Sequence, residues 1–329
     1  MTKRIHANRR QLLAGIAAGA LAVPFVRGAR AAGLDEIRID FATYNPVSLL
    51  LKDKGWLEEE FKADGTNIRW VQSLGSNKAL EFLNAGSLHF GSSAGAAALI
   101  ARINGNPVKS VYVYSKPEWT ALVTRKDTGI AAPADLKGKR VAVTRGTDPH
   151  IFLIRALAEA GLKEADVKLV LLQHGDGKAA LIRGDVDAWA GLDPIMAAAE
   201  VDDGATLFFR KPDWNTYGVL NTPETFAAEQ PAIVRRVLAV YEKARQYAIA
   251  NPAEVTAALV AVAKLPEPVI ARQLGERTDL SNSRIGQAQR DTILAAGLAL
   301  QEAGVVKADV DVKAVTGALL VEDFNTAAG

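Results

Sequence analysis

The chain has 329 residues, enough for two hydrophobic cores, and carries 39 basic against 37 acidic side chains. It contains no cysteine, which excludes disulfides, zinc–thiolate sites and thiol nucleophiles. The charge is close to balanced and no basic run with interleaved aromatics follows residue 31, which excludes a nucleic-acid surface of the usual kind.

Residues 1–31 read as an export signal. Arg9 and Arg10 precede an apolar run from Leu12 to Val26, and Ala29-Arg30-Ala31 has the form of a cleavage site. The stretch "ANRRQLLAG" resembles a twin-arginine signal; an ordinary secretory signal with two arginines is the alternative, and both lead to the periplasm. These residues hold six basic groups and no acid, so the remainder has 33 basic against 37 acidic residues and is mildly acidic. Beyond them no apolar stretch reaches about 18 residues, the length of a membrane span.

From residue 36 onward, strand-like and helix-like segments alternate. Ile37 to Phe41 alternates at period two, and Val47 to Phe61 reads as one helix. "NIRWVQS" is a strand and "SNKALEFLNAG" a helix; "LHFGSS", "AGAAALIARING" and "VKSVYVYS" continue the pattern. A second set begins near residue 119, with "WTALVTR", "RVAVT", "VKLVLL", "VDAWAG" and "TLFFR" as strands separated by helices. From Ala232 to Ala250, Ile233, Val237, Val240, Tyr241, Ala244 and Tyr247 form one stripe of an amphipathic helix. The fold class is therefore α/β, with βαβ units and parallel sheets.

Several strand ends run into helix starts, where free N–H groups and the helix dipole favour an anion. Thr43-Tyr44-Asn45-Pro46 follows the first strand; Tyr44 and Asn45 are either donors to ligand oxygens or parts of a plain turn. At Gly75-Ser76-Asn77, Ser76 and Asn77 either cap the helix or serve a ligand as well. In Arg145-Gly146-Thr147-Asp148, Thr147 or Asp148 caps the next helix and Pro149 suits its first turn. Asp148 complicates an anion site: it either turns away as a cap or faces a cationic or hydroxylated part of a ligand. Asp193 in Gly191-Leu192-Asp193-Pro194 repeats that motif.

Gly91-Ser92-Ser93-Ala94-Gly95 is literally G-x-S-x-G, the elbow pattern of serine hydrolases, and makes a hydrolase the rival reading. It lacks the late histidine such enzymes place after their acid, since His174 is followed by 155 residues without another. Without a base, serine is a poor nucleophile, so Ser92 and Ser93 read as hydrogen-bond donors and the protein as a non-enzyme. The histidines show no metal-ligand spacing, and no cofactor is expected.

Taken in order, "YNPVSLLLKDKGWLEEEF", "ALEFLNAGSLHFG", "DLKGKRVAVTRGTDPHIFLIRALAEAGL", "LIRGDVDAWAGLDP" and "AIVRRVLAVYEKARQYAIANP" resemble the substrate-binding proteins of ABC importers for aliphatic sulfonates, taurine and nitrate. The resemblance covers most of residues 36–255. It implies a type II periplasmic-binding fold: two Rossmann-like lobes with mostly parallel sheets, joined by two crossovers and closing as a monomer on a ligand. It implies residues 35–118 and 220–329 for one lobe and 119–219 for the other. It also implies a small oxyanion, a sulfonate first of all, with nitrate, a sulfate ester or a thiamine-pyrimidine precursor as alternatives, and an inner-membrane permease as partner. Tyr44, Asn45, Ser76, Asn77, Ser92, Ser93, Gly146, Thr147, Asp148 and Asp193 would line the pocket. Trp119 and Tyr217, near the expected crossovers, either cover the organic part of the ligand or belong to the core.

Overall fold

The computed structural model describes residues 34–325. The expected export signal lies outside the described residues. Eleven strands follow in chain order: β1 (Glu36–Phe41), β2 (Asn67–Gln72), β3 (Gly91–Ala94), β4 (Val108–Pro117), β5 (Leu122–Thr124), β6 (Arg140–Val143), β7 (Lys168–Leu171), β8 (Ala188–Ala190), β9 (Thr206–Phe209), β10 (Gly218–Pro223) and β11 (Thr278–Asp279).

They form two α/β lobes. In the first, β1 and β2 pair in parallel with Ile39 opposite Trp70, and a parallel bridge from Ile39 to Phe90 leads into β3. The sheet continues β3-β10-β4-β11, every one of those pairs antiparallel. In the second, the order is β7-β6-β8-β5-β9; β7, β6 and β8 run parallel, and β5 runs antiparallel to both neighbours. Alternation of strands and helices correctly gave the parallel β1-β2 and β7-β6-β8 groups. The sheets are mixed rather than mostly parallel, because the chain enters the second lobe at β5 and returns to the first at β10, and these two strands run against their neighbours.

The period-two rule is visible in the second sheet. Val141, Val143, Ala188 and Ala190 pack on one face with Phe152 and Leu153. Ala142, Val123 and Trp189 pack on the other with Leu181 and Met196. Strands buried on both faces read as continuous apolar runs, as "RVAV" and "AWA" do. Gly177 is required beneath Trp189, since a Cβ there would lie 2.7 Å from the indole Nε1.

The single helix expected from Val47 to Phe61 is two, Pro46–Lys54 and Trp56–Phe61. Gly55 separates them with φ +63°, a left-handed conformation that ends the first helix. The helix Pro231–Ala250 bears out its stripe, with Val237, Tyr241 and Ala244 fully buried. β10 was not foreseen: "GVLNTP" has two strongly apolar residues, a glycine at one end and a proline at the other, yet it lies between β3 and β4. Its polar Asn221 is held by tertiary partners, donating to Gly91 O and Ser93 Oγ. Among the described residues no helix is long and apolar enough to cross a membrane.

Candidate functional site

Three helix N-termini meet at the carboxyl ends of β2, β6 and β7. The helix Ser76–Asn84 starts after Gly75, Asp148–Glu159 after Thr147, and His174–Arg183 after Gln173. Their proximity can be read at two glycines. A Cβ on Gly75 would lie 3.2 Å from His174 Nε2 and 2.8 Å from Asn77 Oδ1. A Cβ on Gly146 would lie 3.6 Å from Asn77 Cβ, and Gly146 itself has φ +78°. Glycine is thus needed at 75 for space and at 146 for conformation. Residues 75–77 come from the first lobe and 144–147 and 174 from the second, so the two lobes touch here.

The hydrogen-bond capacity at this junction is unevenly used. Ser76 Oγ accepts from Ala94 N at 3.0 Å, and its own proton meets no acceptor among the described residues. Asn77 Oδ1 and His174 Nε2 are buried without partners. The hydroxyl of Thr147 donates to Thr144 O at 2.6 Å and does not cap its helix. What Thr147 leaves open at this helix start is its backbone N–H, because the first N–H groups of a helix lack intrahelical acceptors.

Tyr44, Asn45, Ser92 and Ser93 are engaged within the first lobe. Asp40 Oδ1 accepts from Ser92 N and Oγ at 2.9 and 2.8 Å. Asn45 Nδ2 donates to Ser92 Oγ and to the Tyr241 hydroxyl, while its Oδ1 accepts from Ser48 N and caps the helix Pro46–Lys54. Tyr44 donates to Ser92 O. Burial pushes the Asp40 carboxyl up to about 6, against the lowering effect of the Ser92 bonds. Ser93 Oγ donates to Ala94 O and accepts from Asn221. The next helix, Gly95–Ile103, has its first two N–H groups taken by Tyr217 O and Thr216 Oγ1. The Tyr217 hydroxyl makes no hydrogen bond among the described residues, and its ring is nearly buried.

Asp148 adopts neither of the two roles the sequence left open. Its carboxylate accepts from Trp119 Nε1 at 2.9 Å and from Thr216 N and Oγ1 at 3.0 and 2.8 Å. Trp119 and Thr216 stand on the two crossovers, so one buried acid ties both of them to the second lobe. Burial raises its pKa to about 6, and the three donors pull the other way. The indole of Trp119, bonded to Asp148 and edge-on to Tyr44 at 6.1 Å, is a core residue of the crossover.

Asp193 does bond the start of its helix, accepting from Ala197 N at 2.9 Å, but it also faces a cation. Arg277 Nη1 lies 3.3 Å from both Asp193 oxygens, and Arg277 Nη2 pairs with Glu200. Arg277 precedes β11, beside β4 of the first lobe, so this buried ion pair joins the lobes. Burial raises the Asp193 pKa to about 7 although Arg277 lowers it.

His174, Asp40, Thr216 and Arg277 were missed from sequence. His174 had a signal: it opens a helix directly after "VKLVLLQ", the same strand-end position as Thr147. Arg277 had none, since its partner Asp193 lies 84 residues away.

Comparison with known proteins agrees with this architecture. A family profile described as NMT1/THI5 like matches residues 48–255. A putative aliphatic sulfonates-binding protein of Escherichia coli K12 is 30% identical over 281 residues, covering 84% of this chain and 88% of that one. The taurine-binding periplasmic protein of the same organism is 30% identical over 199 residues, 58% of this chain and 60% of its own length. The solved alkanesulfonate-binding protein SsuA of Xanthomonas axonopodis pv. citri, bound to MOPS, superposes with a TM-score of 0.78 at 27% identity, over 87% of this chain and 99% of that one.

Proposed function

The chain belongs to the NMT1/THI5-like family, and from that membership we propose that it is the solute-binding component of an ABC importer, taking an aliphatic sulfonate between its lobes. The observation that carries the reading is the meeting of three helix N-termini with the free hydroxyl proton of Ser76. Such a junction offers N–H groups and positive dipole ends to a compact oxyanion. The relatives named as sulfonate- and taurine-binding proteins support the ligand class, and the periplasmic name of the taurine-binding relative supports export; delivery to a membrane permease is part of the same proposal. We take residues 119–219 as the smaller lobe, since β5 to β9 all fall within them, and residues 35–118 and 220–329 as the larger.

Ethanesulfonate, taurine, nitrate and sulfate titrated calorimetrically against the protein test the reading. A sulfonate should bind most tightly. Ser76→Ala should weaken it roughly tenfold or more, since a hydrogen bond to a charged group is worth about 1.5–3 kcal/mol. Thr147→Ala should change the affinity much less, because its hydroxyl is engaged with Thr144 O. Equal effects of the two substitutions would place the ligand elsewhere.

No hydrolytic role is proposed for Ser93. Its hydroxyl is held by Ala94 O and Asn221, and its backbone lacks the positive φ of a strained elbow. A fluorophosphonate probe should therefore leave Ser93 unlabelled; stoichiometric labelling lost in Ser93→Ala would restore the hydrolase.

A further inference from the structure

Among the described residues, His174 is an ionisable group aimed into the junction, beside Gly75. Its ring is 1% exposed, and Nε2 has no hydrogen-bond partner. The other nitrogen fixes the tautomer. Thr144 Oγ1 lies 3.2 Å from His174 Nδ1 and gives its only proton to Leu172 O at 2.7 Å. Thr144 can therefore only accept from Nδ1–H, which leaves a bare lone pair on Nε2. Across the seam stands Asn77 Oδ1, also an acceptor without a donor. In its neutral form the ring turns an acceptor lone pair, not a donor, toward an oxyanion that three helix N-termini would otherwise attract.

We propose that His174 takes up one proton from solvent as the lobes close on an anionic ligand, and donates from Nε2 to that anion. This rests on the reading of a sulfonate at the junction. Asn77 joins it by turning its amide, which brings Nδ2 to the place of Oδ1. An unpartnered acceptor of this kind, buried among positive helix ends, is stable as neutral imidazole only while the anion is absent. Burial alone holds the ring down, to about 3, with no charged neighbour contributing. The elements packed against it bear this out. From the first lobe come Gly75, Asn77 and Lys78, the last paired with Glu81. From its own helix come Asp176, which is exposed, and Lys178, paired with Asp203. The turn after β6 adds Thr144, Gly146 and Arg145, whose side chain is exposed. An anion would thus be the first charge the ring meets, and it favours the imidazolium.

The test is calorimetry with ethanesulfonate at pH 7 in imidazole, bicine and Tris buffers, whose ionisation heats differ. Uptake of up to about one proton per ligand is expected, and the dissociation constant should rise by up to about tenfold per pH unit as the pH climbs from about 4 to 7, where the free ring is neutral and the bound ring charged. His174→Gln should abolish both the proton uptake and the pH slope and weaken binding at pH 6.5 roughly tenfold or more. If that variant fails to fold, the proton count of the unaltered protein decides alone. Sulfonate binding without proton exchange, on a flat pH profile, overturns the role of His174 and leaves the sulfonate reading standing. Failure of every sulfonate to bind overturns both.

Discussion

Replacing Asp148 by alanine is expected to lower the stability of the fold by about 3 kcal/mol, which for a chain of this size is a melting-temperature loss of roughly 6–10 °C. The substitution leaves the Trp119 indole N–H, the Thr216 N–H and the Thr216 hydroxyl facing a void, and each buried unsatisfied donor costs on the order of 1–3 kcal/mol. Relief from burying the carboxylate offsets part of this, and the pH dependence shows how much. Folding raises the acid's pKa from 3.8 to about 6, so Asp148 contributes most below pH 4 and loses that share as pH rises through 6. The difference between the two proteins should therefore be larger at pH 5 than at pH 7.5. Thermal unfolding at both pH values measures it. A stability loss under 1 kcal/mol, or the opposite pH trend, would mean the crossovers do not depend on this carboxylate.

Arg277→Met is expected to cost about 3–5 kcal/mol at pH 8, the usual result of removing one partner from a buried ion pair. Asp193 would be left as a buried acid without its cation, and Glu200 would keep only Arg272, at 3.6 Å. Here the pH trend runs the other way. Asp193 already has a folded pKa of about 7, and loss of Arg277 raises it further. Below neutrality the acid is protonated in both proteins, so the penalty is smaller there and grows as pH rises past 7. Adding Asp193→Asn to Arg277→Met should recover part of the loss at pH 8 and little at pH 6. Denaturant unfolding of the two single variants and the pair resolves the coupling; additivity at pH 8 would show that the pair is not what holds these elements together.

These two acids show what tertiary structure added. In the sequence Asp148 and Asp193 are the same motif, an acid after a buried strand and next to a proline that opens a helix. Local rules assign both to caps or to the ligand, because those rules see only neighbours within a turn. Their actual partners lie 29, 68 and 84 residues away, on segments that the crossovers and β11 bring in.

By itself the sequence determined much of what depends on short range, though not the helix break at Gly55. Alternating apolar residues with intervening helices specified the parallel groups β1-β2 and β7-β6-β8, since period two and period 3.6 are legible in windows of a dozen residues. Strand ends running into helix starts singled out Ser76, Asn77, Gly146 and Thr147 among the candidates, but not that they meet. What only the tertiary structure decided is which of those groups are free. The hydroxyls of Thr147 and Ser93 and the carboxylate of Asp148 have partners within the fold, whereas the Ser76 proton and His174 Nε2 do not. A side chain's type states what it can bond, but burial and long-range pairing settle what remains for a ligand, and neither is written in the local pattern.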